Sequence, residues 1–304
     1  MNIYVEIPMR TSMERLWEHT QTPEMHERWD LRFSTIEYLP RPDLTIPQQF
    51  LYTTRIGFGL AIRGKGETVG SKVDSAGCRT SALKFWSEEP ISLIERGSGY
   101  WKYEPTGEGH GVRFLTEYTY QTRFGGAGAL FDRWVFRPLM GWATAWSFDR
   151  LRLWVESGID PAVSLERSIV YSLVRLTLAF IWIYQGVFPK LLFRDTGELS
   201  ILQQSQVLPG YEPLILSLVG VGEILFGLLL VFLWHSRVLL WMTILGLGVL
   251  GVGALLSQPQ LFVAPFNPLT LNLSMTALAI IGLVVGKNLP SAGRCRRKRA
   301  EKDT

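Results

Sequence analysis

The chain has 304 residues, enough for two domains of ordinary size, and carries a formal net charge of +4. Much of the positive excess lies beyond residue 287, which is not the pattern of a nucleic-acid-binding surface, so we expect no nucleic-acid partner. Its two cysteines, Cys78 and Cys295, are far apart and argue against a disulfide scaffold or a dithiol redox centre.

The first half of the chain reads as a soluble domain over residues 1–157. A strand is predicted over residues 3–7, followed by two short helices over 12–20 and 22–29. The period then changes to two, and strands are predicted over residues 33–39, 48–55, 57–63, 67–73, 80–86, 92–97, 100–104 and 112–122. Helical spacing returns over residues 126–156, where Pro138 should kink the helix.

This order predicts an α+β domain in which a curved antiparallel sheet wraps around the long last helix. The opening residues IYVEIPMRTSMERLWEHTQTPEMHERW, with Trp17 and Trp29, resemble the SRPBCC or START-like superfamily, which includes polyketide cyclases and lipid-transfer domains. The resemblance covers about residues 1–155 and implies a helix-grip fold with a cavity for a hydrophobic ligand.

Five aromatic residues are candidates for lining that cavity. Phe114, Tyr118 and Tyr120 share one face of the last strand, and we expect Trp86 on an earlier strand and Trp134 on the long helix to face them. Two interpretations remain open. The rings either fill the core, as large aromatics usually do, or surround a ligand that supplies partners for the tyrosine hydroxyls.

Groups that would indicate catalysis are sparse. The sequence has no nucleophile elbow, phosphate-binding loop or dinucleotide fingerprint. His19 and His26 could share a face of the paired helices, yet no cysteine or carboxylate stands beside them at ligand spacing, so we predict no metal site. No cofactor is predicted from the residues.

The second half reads as an all-α transmembrane bundle over residues 168–287, joined to the first by a linker over residues 158–167. Four apolar stretches are long enough to cross a bilayer, over residues 168–188, 213–234, 238–256 and 268–286. A short helix at the membrane surface is predicted over residues 199–207.

Basic residues set the predicted orientation. They crowd into the tail over residues 288–304, and Arg167 and Arg237 fall on the same side of the membrane as that tail. By the positive-inside rule both termini are cytoplasmic, and the first 20 residues lack the apolar stretch of a secretory signal. We therefore expect a multi-pass protein of the plasma (inner) membrane. The tail could also bind anionic lipid, and Cys295 within it could be acylated.

Four polar residues inside the predicted spans call for partners, because ionisable groups in a bilayer are costly: Arg175, Gln185, Glu223 and Asn272. Glu223 shares a helix face with Gly220 and Gly227, which suits close helix packing. Counted by helix rise, Arg175 and Glu223 differ in depth by only about 5 Å, so we predict that they pair if their spans are neighbours. The pair would be either a structural lock or part of a quinone or proton site. In a third alternative the two groups do not meet, and Glu223 is protonated or reaches water.

This half resembles the DoxX-like family of four-span membrane proteins. The residues that carry the resemblance are Arg175 with IWIYQGVFPKLL, then GVGEILFGLLL and FNPLTLNL. Because relatives include a subunit of an archaeal thiosulfate:quinone oxidoreductase, the resemblance admits a quinone cofactor and a redox partner protein.

Three functions follow as hypotheses. The first is a cytoplasmic domain that binds a hydrophobic small molecule or lipid beside a membrane anchor. The second is an accessory subunit of a quinone-linked oxidoreductase. The third is a cavity enzyme of the cyclase or hydratase type, in which the pocket mainly orients a substrate.

Overall fold

The computed structural model describes residues 2–43, 45–107, 111–194, 197–204, 208–263, 265 and 267–299. These residues form two compact units. The first holds residues up to Ser164 together with those from Pro290 onward, and the second holds Leu165–Leu289.

The first unit is built on a seven-stranded antiparallel sheet with the strand order β1-β7-β6-β5-β4-β3-β2 among the described residues. The strands are β1 (Ile3–Met9), β2 (Thr35–Tyr38), β3 (Gln49–Gly57), β4 (Leu60–Val73), β5 (Arg79–Trp86), β6 (Ile94–Thr106) and β7 (Gly111–Thr122). β4 and β6 each merge two predicted strands into one.

Two short helices, α1 (Met13–Gln21) and α2 (Pro23–Trp29), connect β1 to β2. α1 begins where the Ser12 side chain accepts the backbone N–H of Arg15, and α2 begins with a proline, whose missing N–H costs nothing there.

The long helix follows β7 without a break in chain order. It consists of α3 (Gly125–Phe131), a π-helical turn (Asp132–Phe136) and α4 (Arg137–Ser157). The π-helical turn comes just before Pro138, which cannot donate the backbone hydrogen bond of a regular helix. The predicted helix-grip architecture, a sheet with one long C-terminal helix, is confirmed.

The core of this unit lies between the β1 side of the sheet and α4. Phe114 stacks on Phe148 of α4 with ring centroids 4.5 Å apart, and Tyr103 lies 4.9 Å from Phe114. Trp29 of α2 is fully buried and packs edge-on against Phe148. This aromatic cluster anchors both short helices and α4 to the sheet.

Residues after the membrane helices return to this first unit. The backbone of Arg296 exchanges two hydrogen bonds with Glu6, both 2.9 Å long, so the segment lies along the free edge of β1. Asp149 of α4 accepts the Arg294 guanidinium and the Ser291 N–H. We call residues 290–299 the strap.

The second unit contains four helices long and apolar enough to span a membrane. They are α5 (Pro161–Gln185), continued by a π-helical turn (Gly186–Leu192), then α7 (Glu212–Phe232), α8 (Val238–Ser257) and α9 (Pro268–Val285). Buried residues from all four form one cluster that includes Leu178, Leu230, Leu240 and Ala279.

The boundaries differ from the predictions in two places. α5 begins at Pro161, so only residues 158–160 separate it from α4, in place of the predicted linker over 158–167. The short predicted helix is α6 (Glu198–Gln204), while residues 205–207 of that prediction and Phe266 of the quoted motif lie outside the described residues.

Candidate functional site

The concave face of the sheet is lined by aromatic rings that lie on glycines. A side-chain carbon at Gly66 would meet the Phe50 ring at 2.1 Å, and one at Gly97 would meet the Phe85 ring at 2.4 Å. Each aromatic residue and its glycine are opposite each other on neighbouring strands. Only glycine leaves room for a ring to lie flat there, so these aromatic rings lie directly against the sheet backbone.

Three of the five predicted cavity residues lie on this face. Phe114 is fully buried in the aromatic cluster. The Tyr118 hydroxyl lies 2.9 Å from Thr144 Oγ1, and the Tyr120 hydroxyl donates to Asp132 Oδ1 at 2.5 Å. Both hydroxyls therefore have protein partners, and these residues belong to the filled part of the fold.

The predicted positions of Trp86 and Trp134 are wrong. Trp86 pairs with Arg96, whereas its neighbour Phe85 is aligned with Gly97 and Tyr120, so Trp86 points to the opposite face of the sheet. Trp134 is 69% exposed on the outer side of the long helix. Phe85 takes the place that the sequence analysis gave to Trp86.

A buried charged cluster that the sequence analysis missed lies at the base of the concave face. Asp30 accepts two hydrogen bonds from the Arg32 side chain, at 2.9 and 2.6 Å, and lies 3.1 Å from His26 Nε2. Asp30 is fully buried, and the Arg32 guanidinium lies 5.5 Å from the Tyr118 ring centroid. The sequence feature that could have indicated this cluster is the spacing of His26 and Asp30, which are four residues apart on one helix face.

The cluster has a defined charge state. Burial would raise the pKa of Asp30, yet the charge and hydrogen bonds of Arg32 hold it well below its usual range. Burial lowers the pKa of His26, against the opposing pull of Asp30. The cluster is therefore a neutral imidazole beside an ion pair.

A second ionic group lies where the π-helical turn meets the sheet. Asp132 is buried and accepts the Tyr120 hydroxyl and the Arg137 guanidinium, which lies 2.6 Å away. Burial and then the hydrogen bond to Asp132 raise the pKa of Tyr120. This phenol stays protonated and tethers the long helix to β7.

Between these two groups, apolar side chains remain partly exposed. Leu83 and Tyr118 oppose Gly99 on the concave face, and Phe85 and Tyr52 lie on strands farther from β1. Leu83, Phe85 and Tyr52 are only half-buried, as are Phe33 and Phe136 across from them. Phe33 contacts Tyr52 edge-on at 5.5 Å, and Phe136 contacts Tyr120 edge-on at 6.1 Å. We call this half-buried part of the concave face the cleft.

Two open depressions lie elsewhere, with volumes of about 630 and 640 Å³. Most of their lining side chains point away from the concave face, among them Leu51 and Lys65 in the first and Trp86 and Arg96 in the second. Trp86 thus lines an outer surface. Within the described ranges, no group of three histidine, cysteine or acidic side chains is placed to hold a metal ion.

In the second unit, Arg175 binds the end of α7. Its guanidinium is fully buried and donates to the carbonyls of Leu230, Leu233 and Ser236, at distances between 2.6 and 2.9 Å. These carbonyls lie at or beyond the last turn of the helix, where backbone acceptors lack partners and the helix dipole is negative.

The predicted Arg175–Glu223 pair is wrong. Glu223 Oε2 lies 3.0 Å from Nζ of Lys190, which also lies 2.9 Å from Glu198 Oε2. Lys190 lies in the π-helical turn after α5, which is packed on α7: a side-chain carbon at Gly186 would lie 2.4 Å from the Gly220 carbonyl. Close packing at these glycines brings Lys190 to Glu223, and confirms the predicted role of Gly220.

Of the other polar residues of the spans, Gln185 contacts this ion pair through its backbone and Asn272 contacts a different helix. Asn272 Nδ2 of α9 lies near Gly251 of α8. The Gln185 carbonyl accepts a long hydrogen bond of 3.4 Å from Lys190. Trp182 packs edge-on against Phe226 of α7, and its buried Nε1 has no acceptor among the residues described.

Cys295 is buried in the strap, whereas a cysteine that is acylated should be exposed. Its Sγ lies 3.1 Å from the Ala145 carbonyl, and burial raises the pKa of its thiol to about 12. The thiol is therefore shielded and protonated. Arg294 and Arg296 of the strap pair with Asp149 and Glu6.

The first unit, which contains none of the four candidate spans and which we call the soluble unit, is similar in fold to several solved structures. The hypothetical protein jhp0584 from Helicobacter pylori is 15% identical, with a TM-score of 0.41 over 51% of this chain and 88% of that one. The ZhuI aromatase/cyclase from Streptomyces sp. R1128 is 12% identical, with a TM-score of 0.33 over 50% of this chain and 95% of that one.

Two comparisons of sequences bear on the family of the chain. Residues 179–280 match the DoxX-like family. The membrane protein YndG of Bacillus subtilis (strain 168) is 50% identical over 184 residues, which cover 60% of this chain and 68% of YndG. The chain is a membrane protein of the same family as YndG, and it carries a DoxX-like domain over residues 179–280.

Proposed function

We propose that this protein holds a hydrophobic small molecule or lipid in the cleft of its soluble unit and is fixed by its four spans to the membrane where such molecules dissolve. The observation that carries the proposal is the partial exposure of Leu83, Phe85 and Tyr52 in the middle of the concave face, in a unit whose other end is tightly packed. Apolar concave surfaces with a few polar groups are typical of ligand sites.

The polar groups at the cleft suit a ligand with a small polar head. Arg32 is held by Asp30, and its side chain, which is 11% exposed, lies beside the Tyr118 ring with guanidinium N–H groups that Asp30 does not use. It can therefore donate a further hydrogen bond to a carbonyl or hydroxyl oxygen. The neutral His26 is packed among Trp29, Phe33 and Trp101, which suits it to holding Asp30 in place rather than to acid–base catalysis.

The proposal places the soluble unit in the cytoplasm and the spans in the plasma membrane. Two observations support this orientation. The basic residues follow the positive-inside rule, and residues before α5 and after α9 fold into a single unit, which requires an even number of crossings. Labelling of tags at the two ends from one side of intact cells tests it, because tags on opposite sides would contradict a shared unit.

Mass spectrometry of organic extracts from the purified full chain tests ligand binding. We expect a hydrophobic species, enriched over bulk membrane lipid, to co-purify with the wild type and to be lost from Leu83→Trp, in which the larger ring fills the cleft. Leu60→Trp is the matched control, because Leu60 is 52% exposed at the β3–β4 turn. Equal extracts from all three proteins would contradict the proposal.

A second candidate function is supported by the ion pair in the bundle. Lys190 and Glu223 meet between α5 and α7, and Trp182 brings an unpartnered donor against Phe226, one helical turn from Glu223. Such donors could bind the carbonyl of a quinone, as an accessory subunit of a quinone-linked oxidoreductase would require. A quinone in the extracts that survives Leu83→Trp but is lost from Glu223→Gln would favour this function.

A further inference from the structure

The long helix carries an apolar stripe on the side that faces away from the sheet. Its members follow helical spacing over three turns: Phe131, Trp134, Val135, Pro138, Leu139 and Trp142. The residues that face the sheet follow a different stripe, in which Gly128, Asp132 and Thr144 are buried. The helix therefore has an apolar outer side as well as the side that faces the sheet, and the sheet covers only the second.

The outer stripe is exposed to an unusual degree. Trp134 is 69% exposed, Leu139 55% and Trp142 44%. Phe131 and Val135 are about half exposed as well. Single exposed apolar residues are ordinary, but a continuous row about 16 Å long, by helix rise, marks an interaction surface.

We propose that this outer stripe lies in the lipid–water interface of the bilayer that the four spans cross. Its composition suits that position. Tryptophan is enriched at membrane interfaces, and an interfacial helix buries its apolar side to a depth of roughly 5–10 Å. The proposal concerns how the soluble unit meets the membrane, and it does not depend on any ligand in the cleft.

The charges around the stripe complement an anionic membrane surface. Residues 123–142 contain three arginines and one acidic residue, Asp132, whose carboxylate is buried and paired with Arg137. Arg133 is exposed beside the Trp134 ring, 5.6 Å from its centroid. Anionic headgroups attract such arginines while the rings enter the acyl boundary.

The chain connection keeps the soluble unit close to the bilayer. Residues 158–160 alone separate α4 from α5, which continues into the first span. A soluble unit of this size has a radius of gyration of about 15 Å, so its surface cannot move far from the membrane. Intramolecular tethering of this kind gives even a weak contact a high effective concentration.

A second exposed apolar element lies at the same end of the sheet as the start of α3. The β3–β4 turn presents Ile56, Phe58 and Leu60, all more than half exposed. Lys65, which is near this turn, pairs with Trp86, and Trp86 pairs with Arg96. Arg96 in turn pairs with a residue at the end of β7, so the turn lies at the end of the sheet where β7 leads into α3. Both elements can therefore approach one surface together.

Fluorescence quenching in the full chain tests the proposal. Trp134→Cys is made in a Cys78→Ser background and labelled with nitrobenzoxadiazole. The labelled protein is placed in nanodiscs of equal parts phosphatidylcholine and phosphatidylglycerol. The Cys78→Ser protein alone keeps only the buried Cys295, so its fluorescence measures labelling at sites other than residue 134. We expect a severalfold greater loss of fluorescence with doxyl-labelled lipid than for a label at exposed Lys72→Cys, at the other end of β4. Iodide in the water should quench the two labels in the reverse order.

Three outcomes are distinguishable. Lipid quenching at Trp134→Cys, repeated at Leu139→Cys and weaker in pure phosphatidylcholine, supports the proposal. Equal access of iodide to Trp134→Cys and Lys72→Cys overturns it. Shielding from both quenchers that occurs only in nanodiscs holding two copies also overturns it, because a second copy then covers the stripe.

Discussion

Replacement of Arg175 by methionine should strongly destabilise the second unit, which contains the four spans. The side chain donates four hydrogen bonds to three carbonyls at the end of α7 and one to the Tyr171 hydroxyl. Hydrogen bonds in membrane proteins average about 0.6 kcal/mol and reach about 1.7, so the four carbonyl bonds correspond to about 2–7 kcal/mol. On the scale of soluble domains this lowers Tm by roughly 10 °C or more.

Thermal unfolding of the purified full chain in detergent measures this loss. Arg237→Met is the matched control, because Arg237 is exposed and donates one long hydrogen bond of 3.2 Å to Leu283. Arg175→Lys should fall between the wild type and Arg175→Met, since an ammonium keeps the charge and three donors but cannot span the three carbonyls. If Arg175→Met shifts Tm no more than Arg237→Met does, the helix-capping role is refuted.

Three further predictions concern the bundle and the buried histidine. Lys190→Met should lower Tm more than Glu223→Gln. The first change leaves the carboxylates of Glu198 and Glu223 without their shared lysine, whereas the second leaves the lysine one acidic partner. The opposite order would contradict a cluster of these three residues. Gly227→Val should disrupt the α5–α7 contact, where a side-chain carbon would lie 2.8 Å from a backbone oxygen, and Gly222→Val, with open space around it, should be tolerated in the same unfolding assay. The unfolding free energy should fall as pH drops below 6.5, because burial lowers the pKa of His26 in the folded state and the unfolded chain takes up the proton first. His26→Gln should reduce the difference in unfolding free energy between denaturant titrations at pH 5 and pH 7.

The order of elements in the soluble half was predictable from periodicity, since alternation and helical spacing are properties of the local sequence. The side of the sheet to which Trp86 points was not. Phe85 and Trp86 are adjacent aromatic residues, and a strand shifted by one residue exchanges which of them faces the helix. Only the pairing with Arg96 and Gly97 decides between them.

Trp134 illustrates a different limit. Its apolar character predicts burial, but Trp134 belongs to the outer stripe of the long helix and is 69% exposed. Membrane proteins expose apolar surface to lipid, so hydrophobicity alone does not identify the core. The helix is correctly predicted, whereas its orientation depends on the sheet-facing positions of Asp132 and Thr144.

The partner of Glu223 was mispredicted because depth was counted along an ideal helix from residue 168. α5 begins earlier and extends through a π-helical turn that contains Pro189 and Lys190. Lysine near the end of a span looks like an anchor at the interface, yet here it turns inward to two acidic groups. The four spans themselves were predictable, because length and hydropathy alone define them.

The strap has a consequence for how the protein is made. A ribosome makes β1 before the four membrane helices and residues 290–299 after them. The edge of β1 at Glu6 and the buried carboxylate of Asp149 therefore wait for partners until the spans have been synthesised. Completion of the soluble unit thus reports that the chain has passed through the membrane and returned to the side from which it started.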